Sequence, residues 1–313
     1  APPRGRARIA TMPRSEVDGR APTRRRQMVP AEKLPTRLPA AAQRFLPGIE
    51  PARDVDDWGR SQRLEQVFDN TLGDLLYDLW FRVEASNVDL LPSGGALLLS
   101  HRAGSLAPHA AMLSRIVRER FGPSRRLYVL HEPDLRAVPA LGAMLSRFGC
   151  VPAQRANVER LLVDEGAFVL AFPEPVAAAL KPLARRYRLA RFTELDALAT
   201  ARAAGVPVLG AAVLGVEEAN PTILARPRLP APLRSVRRRV GRLSRRFPAA
   251  VRALARLPLV QMAFLPAKMR IDFVAVPDPG AALATRDYAE LVRAAIEQRL
   301  ADMLARRHSV WTG

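Results

Sequence analysis

The chain's residue pattern predicts an α/β layered fold with a mostly parallel central sheet flanked by helices. Three observations carry this reading. Short continuous apolar runs, at Ala96 to Leu99, Phe168 to Phe172 and Pro207 to Leu214, suit strands buried on both faces. Longer stretches between them repeat apolar residues at helical spacing. The two kinds of segment alternate, which favours crossover connections and parallel strands.

Taken in order, residues 1–50 are rich in Pro, Arg and Ala and include Arg24-Arg25-Arg26. Prolines interrupt every helical period there, so a disordered basic arm is expected, with the folded domain spanning 51–313. Order should begin near Asp56-Asp57-Trp58-Gly59. Leu64, Val67, Phe68, Leu72, Leu75, Leu76, Leu79 and Trp80 recur at helical spacing, giving an amphipathic helix that enters a first strand, Phe81 to Ala85. Pro92-Ser93-Gly94-Gly95 is a turn before the strand at Ala96. Then come a helix over Ala107 to Arg120, a strand over Arg126 to Leu130, and helices over Ala137 to Phe148 and Asn157 to Glu165. After the strand at Phe168, Leu195 to Ala204 is helical and Gly205 ends it. Leu233 to Leu257 is an arginine-laden helical stretch interrupted at Pro248. Ile271 to Val276 reads as the last strand and Tyr288 to Arg307 as a C-terminal helix.

Hydrophobic residues make up 49% of the chain and charged residues 25%, ordinary values for a globular domain. The formal net charge of +19, mostly arginine, favours anionic partners such as phospholipid surfaces, nucleic acid or phosphorylated substrates. A single cysteine, Cys150, excludes an internal disulfide and a cysteine-based metal cluster. His101, His109, His131 and His308 lack zinc-ligand spacing, so no metal site is expected. No apolar run reaches the roughly 18–20 residues of a membrane span, and no secretory apolar segment is visible near the N-terminus.

The segment Leu97 to Met112, LLLSHRAGSLAPHAAM, resembles the first motif of the glycerol-phosphate and lysophosphatidate acyltransferase superfamily, in its bacterial branch. The likeness continues in order along the chain. Asp56-Asp57-Trp58-Gly59 and Phe81-Arg82-Val83-Glu84 resemble that branch's opening helix and first strand. Phe148 to Ala153 resembles its second block, and Phe172-Pro173-Glu174 with Lys181-Pro182 and Tyr187 to Phe192 its third. Gly205-Val206-Pro207-Val208 with Val213 to Glu218 resembles its fourth, and Leu265 to Ile271 with Arg306 to Trp311 its tail. The resemblance implies an acyltransferase-type layered fold. It also implies acyl-CoA or acyl carrier protein as acyl donor, with no other cofactor.

In that superfamily a His takes the acceptor hydroxyl's proton and an Asp orients the His. Registered on Gly104 and Leu106, the His position holds Arg102 and the Asp position holds His109. A guanidinium stays protonated and offers no lone pair, so Arg102 is no base. Two other arrangements stay open. His101 is the base in a register shifted by one, though Leu106 and Pro108 then stand where an Asp belongs. Alternatively, His109 is the base with Arg102 as an electrostatic aid. Against both stands a purely structural role, in which the two histidines hydrogen-bond within a loop. The third motif keeps Glu174 but replaces the following Gly with Pro175, which fixes φ and removes an N–H. By resemblance, Arg147, Arg155, Glu174 and Lys181 are the substrate-binding candidates, with Arg185-Arg186 nearby. Cys150 reads as a core residue beside Gly149 rather than an acyl-accepting thiol.

Arg234 to Arg246 interleaves Val236, Val240 and Leu243 with arginines, a basic amphipathic helix suited to an anionic lipid surface. Leu254 to Leu265 adds an apolar wedge, so the whole basic amphipathic segment covers about 233–265. The expected partner is an anionic phospholipid membrane surface, with the protein peripheral to the inner face of the plasma membrane on its cytoplasmic side. Nucleic acid is not expected, since no readout motif is present and aromatics are only 6%; no protein partner is indicated. Three functional readings follow: a catalytically impaired or inactive homologue binding lipid or acyl thioester, an active acyl-CoA-dependent glycerolipid O-acyltransferase using His101 or His109, and a basic membrane- or nucleic-acid-binding scaffold.

Overall fold

The structure, a computed structural model, describes residues 55–104, 107–133, 139–221 and 264–311. They belong to one compact unit, Arg53–Gly313. The expected N-terminal arm and the basic helix over Arg234 to Arg246 lie outside the described residues. Of the apolar wedge, only Phe264 and Leu265 lie within them.

Among the described residues, seven strands form one sheet: β1 (Glu84–Ser86), β2 (Ala96–Ser100), β3 (Leu127–His131), β4 (Cys150–Pro152), β5 (Phe168–Ala171), β6 (Val208–Leu214) and β7 (Arg270–Ala275). Their spatial order is β1-β7-β6-β2-β5-β3-β4. Every pairing is parallel except β6 with β7. The strands expected at Ala96, Arg126, Phe168, Pro207 and Ile271 all form, each within a residue or so of its expected start. β4 was not foreseen, because its three residues are too few to show a period.

The helices are α1 (Gln62–Phe68), α2 (Pro108–Phe121), α3 (Pro139–Arg147), α4 (Arg155–Glu159), α5 (Asp196–Ala203), α6 (Val216–Ala219) and α7 (Thr285–Ala305). α1 continues through two π-helical stretches, Asp69–Gly73 and Leu75–Trp80, and α4 through one, Arg160–Asp164. The first strand starts later than the expected Phe81. Phe81 caps the helical run and is fully buried, while Arg82 adopts φ +44° and turns the chain before β1.

Side chains of each central strand alternate between two cores. Leu97, Leu99, Val169 and Ala171 meet Val158, Leu161, Leu198, Val292 and Ile296 from α4, α5 and α7. Ala96, Leu98, Phe168 and Leu170 meet Met112, Leu113, Ile116 and Val117 from α2. The result is a helix–sheet–helix sandwich in which β2 is apolar on both faces, as its continuous run requires. Among the described residues, no helix is long and apolar enough to cross a membrane.

Candidate functional site

β2 is the point where strand order reverses: the chain leaves it for β3 on one side and later returns with β6 on the other. In open α/β sheets such a point leaves a crevice at the C-terminal strand ends. Here those ends deliver charged residues. His101 and Arg102 follow β2, Glu132 follows β3, Phe172-Pro173-Glu174 follow β5, and Glu217-Glu218 open α6 after β6.

Arg102 is held from every side. Its Nη1 lies 2.7 Å from Glu132 Oε1 and its Nη2 3.5 Å from Glu194 Oε2. Nη2 also donates to the Phe172 carbonyl at 3.0 Å and Nε to the Glu174 carbonyl at 3.2 Å. Burial raises the Glu194 carboxyl, and the Glu132 charge adds to that rise while Arg102 opposes it. Glu174 itself is fully buried. Its two oxygens accept the Arg102 and Ala190 N–H groups, each at 2.6 Å, so it ties the loop after β2 to the segment after β5. That segment is anchored again where the Thr193 and Glu194 N–H groups donate to the Pro173 carbonyl. Pro175 changes the turn as its fixed φ requires: at φ −61° and ψ 149° it opens a 3₁₀ turn, Val176–Leu180.

The histidines face the other way. His101 and His109 are both fully buried, their rings 6.0 Å apart and inclined by only 14°. Tyr187 meets His101 edge-on and Phe172 meets His109 edge-on. Among the described residues, none of their four ring nitrogens finds a hydrogen-bond partner. Burial pushes His109 down to about 4; the nearby His101 backbone opposes this without reaching hydrogen-bond geometry. His109 also opens α2, where the helix dipole disfavours a cation. Burial pushes His101 well below the usual imidazole range, and His109 and Lys181 push it further. The nearest carboxylate, Glu217, is 4.0 Å from His101 Nε2 but already bound by Lys181 Nζ at 2.7 Å. Burial thus favours the neutral form of both stacked imidazoles.

Lys181 also donates to the Arg188 carbonyl at 3.1 Å, so it braces a loop. Tyr187 locks the same corner: its N–H donates to Glu217 and its hydroxyl donates to Glu218 and accepts the Gly215 N–H. Between Lys181, Glu217 and Asn220 remains a crevice of about 10 Å³, room for about one water. Gly104 borders it at φ +66°, where a Cβ would meet the Asn220 side chain at 2.2 Å. The remaining candidates stand apart from this cluster. Arg147 ends α3 ahead of β4 and Arg155 follows β4, so only Arg155 lies at the end where the crevice opens; both are exposed. Cys150 is half-buried, and packing around its thiol pushes it up to about 12, so it stays protonated near neutrality.

The structure therefore brings Arg102, Glu174, His101, His109 and Lys181 together, and leaves Arg147 and Arg155 outside. Glu132, Glu194 and Glu217 are additions that sequence reasoning missed. Only Glu217-Glu218 carried a signal, as two acids directly after a fully apolar strand. Gly215 makes their placement possible: it turns at φ +98°, and a Cβ there would sit 2.1 Å from the Lys268 carbonyl. Gly215→Ala should cost about 2–4 kcal/mol in urea unfolding; an unchanged midpoint would show that the turn is not constrained.

No family model matches the chain. It is 28% identical over 272 residues to uncharacterized proteins of Mycobacterium bovis and Mycobacterium tuberculosis, spanning 83% of this chain and 72% of each relative. It is 27% identical over 274 residues to an uncharacterized protein of Mycobacterium leprae, spanning 83% and 70%. Among solved structures, the 1-acyl-sn-glycerophosphate (LPA) acyltransferase PlsC of Thermotoga maritima superposes with a TM-score of 0.50 at 12% identity, covering 79% of this chain and 83% of that one. At that identity the likeness is one of architecture. The chain therefore shares its fold with that lysophosphatidate acyltransferase.

Proposed function

We propose that the chain is an acyltransferase-type protein that binds lipid or acyl thioester at an anionic membrane surface and has lost the ordinary His/Asp proton-transfer dyad. One observation carries this reading. Arg102, at the position that the resemblance gives to the base, is clamped by Glu132, Glu194 and two carbonyls, while both histidines are sealed beneath it. A general base must reach the proton it abstracts within hydrogen-bond distance. His101 and His109 do not meet that condition, and Arg102 has no lone pair. The shared fold and the ordered series of motifs support the lipid-handling part.

The inner cleft keeps its charges in closed pairs, so attraction for an anionic ligand must come from its rim. Arg155, just after β4, and Arg185 and Arg188, in the segment after β5, are exposed and are the candidates. Titration with a non-hydrolysable palmitoyl-CoA analogue should show saturable binding. Changing these three arginines together to Ala should weaken it about tenfold or more, through lost charge-assisted contacts to phosphate. Non-saturable uptake, or affinity indifferent to all three changes, would count against the reading.

A further inference from the structure

A second pocket, of about 150 Å³, opens between the start of α1 and the turn that follows α2. Its polar walls are Asp56, Arg60, Gln62, Glu65 and Arg126. Arg126 directly precedes β3, whereas Glu132 of the cleft follows it, so the length of the strand, roughly 20 Å, separates the two places. The volume suits several waters or one compact ion.

Arg60 is the unusual wall residue, because it is only 4% exposed. Its guanidinium meets the Glu65 carboxylate as a fork, with Nε 2.7 Å from Oε1 and Nη2 2.6 Å from Oε2. It also lies over the Tyr128 ring, 5.5 Å from the centroid. Its stem passes Gly149, where a Cβ would stand 3.2 Å from Arg60 Cδ. These contacts hold the guanidinium in one place. Nη1, the amino group left outside the fork, is buried and has no partner among the described residues. A buried charged donor left unpaired is costly, and an acceptor bound in the pocket would remove that cost.

The unused hydrogen-bonding capacity of the charged walls consists of donors. Asp56 is saturated: Oδ1 accepts the Trp58 and Arg60 N–H groups at 2.9 Å, and Oδ2 accepts Arg126 Nη1 at 2.9 Å and the Tyr128 hydroxyl at 2.8 Å. Arg60 takes both Glu65 oxygens, and Arg118 Nη1 stands 3.9 Å from one of them. Arg126 bonds through Nη1 alone, which leaves its Nε and Nη2 for a ligand; its side chain is 41% exposed.

We infer that this pocket binds a phosphate group, held between Arg60 and Arg126. Phosphate oxygens only accept, and guanidinium groups match them in geometry and charge. A cation finds no carboxylate oxygen left unpaired. Each carboxylate is neutralised by an arginine, and the net charge of +19 draws anions to the chain. The site shares no residue with the cleft, so it stands or falls separately from the proposed function.

Calorimetric titration of the full chain with inorganic phosphate, at neutral pH and fixed ionic strength, tests the site. Saturable binding is expected. Arg126→Gln should weaken it about tenfold or more, the equivalent of one lost charged hydrogen bond, while the thermal melt barely moves. Arg126→Lys, which keeps a charge beside Asp56, should restore part of the loss. Arg60→Lys, which removes Nη1 and keeps the charge, should weaken binding by a similar factor. Methyl phosphate binding as tightly as the free ion identifies an esterified phosphate as the ligand, and its rejection identifies the free ion; both uphold the site. Absence of saturable heat, affinity indifferent to Arg126→Gln, or acetate binding more tightly than phosphate overturns the proposal. So does phosphate binding that is lost only when Arg155, Arg185 and Arg188 are changed, since that places the ion at the cleft.

Discussion

Glu174→Ala is expected to destabilise the fold by about 3–5 kcal/mol, the largest single effect in the cleft. The carboxylate is fully buried and accepts two backbone N–H groups at 2.6 Å, from Arg102 and Ala190. Charge-assisted bonds of this kind are about twice as strong as neutral ones. Truncation leaves both donors without an acceptor and removes a negative charge beside the Arg102 guanidinium. Glu174→Gln should cost less, about 2–3 kcal/mol, because one amide oxygen still accepts while the NH₂ opposes the second donor. Urea unfolding at neutral pH checks both values. Equal, small losses for the two variants would show that Glu174 does not tie the two loops together.

The second large effect is acid sensitivity from the stacked histidines. Above about pH 6.5 both rings are neutral in folded and unfolded chains alike. As pH falls below that value the unfolded chain takes up protons. The folded chain does not, because burial holds His109 near 4 and His101 well below its usual range. The unfolded state then binds more protons, so stability falls with falling pH. His109 alone should contribute a loss of about 2 kcal/mol by pH 5, and His101 adds in the same direction. The raised Glu194 and Glu217 carboxyls pull the opposite way, since the folded state protonates them first. The clean measurement is therefore a difference. His109→Phe, which keeps an aromatic ring against Phe172, should flatten the stability profile between pH 8 and pH 5 relative to wild type. Parallel profiles would mean that His109 titrates normally and is not sealed.

The central strands were legible because each is a continuous apolar run between turn residues. Ala96 to Leu99 and Pro207 to Leu214 need no tertiary knowledge to be read as buried on both faces. The helical run before β1 was legible as a helix but not in its orientation. Hydrophobic periodicity assumes that the apolar side faces the core. Here Glu65 and Asp69 pair with Arg60 and Arg118 beside the body, while Leu64, Val67, Leu72, Leu75 and Leu79 stay exposed. In the cleft, the resemblance singled out His101, Arg102 and Glu174, which follow β2 and β5, and His109, which lies in the first turn of α2. Glu132 stayed invisible because its pairing with Arg102 depends on spatial strand order, and Glu194 because it depends on the segment after β5 folding back onto Pro173. The stacking of His101 on His109 was equally hidden. Eight residues of separation allow many loop shapes, and the observed one follows from Glu174 holding the Arg102 backbone.

The proposed function requires that, among the described residues, neither Arg102, His101 nor His109 serves as the base used by the superfamily the chain resembles. Acyl transfer from radiolabelled palmitoyl-CoA to a panel of lysophospholipids, measured for wild type, His101→Ala and His109→Ala, tests it most directly. No transfer above the uncatalysed rate is expected in any of the three, alongside saturable binding of the thioester. Robust wild-type turnover that disappears in either histidine variant would contradict the account, because it would require a buried imidazole to reach the substrate.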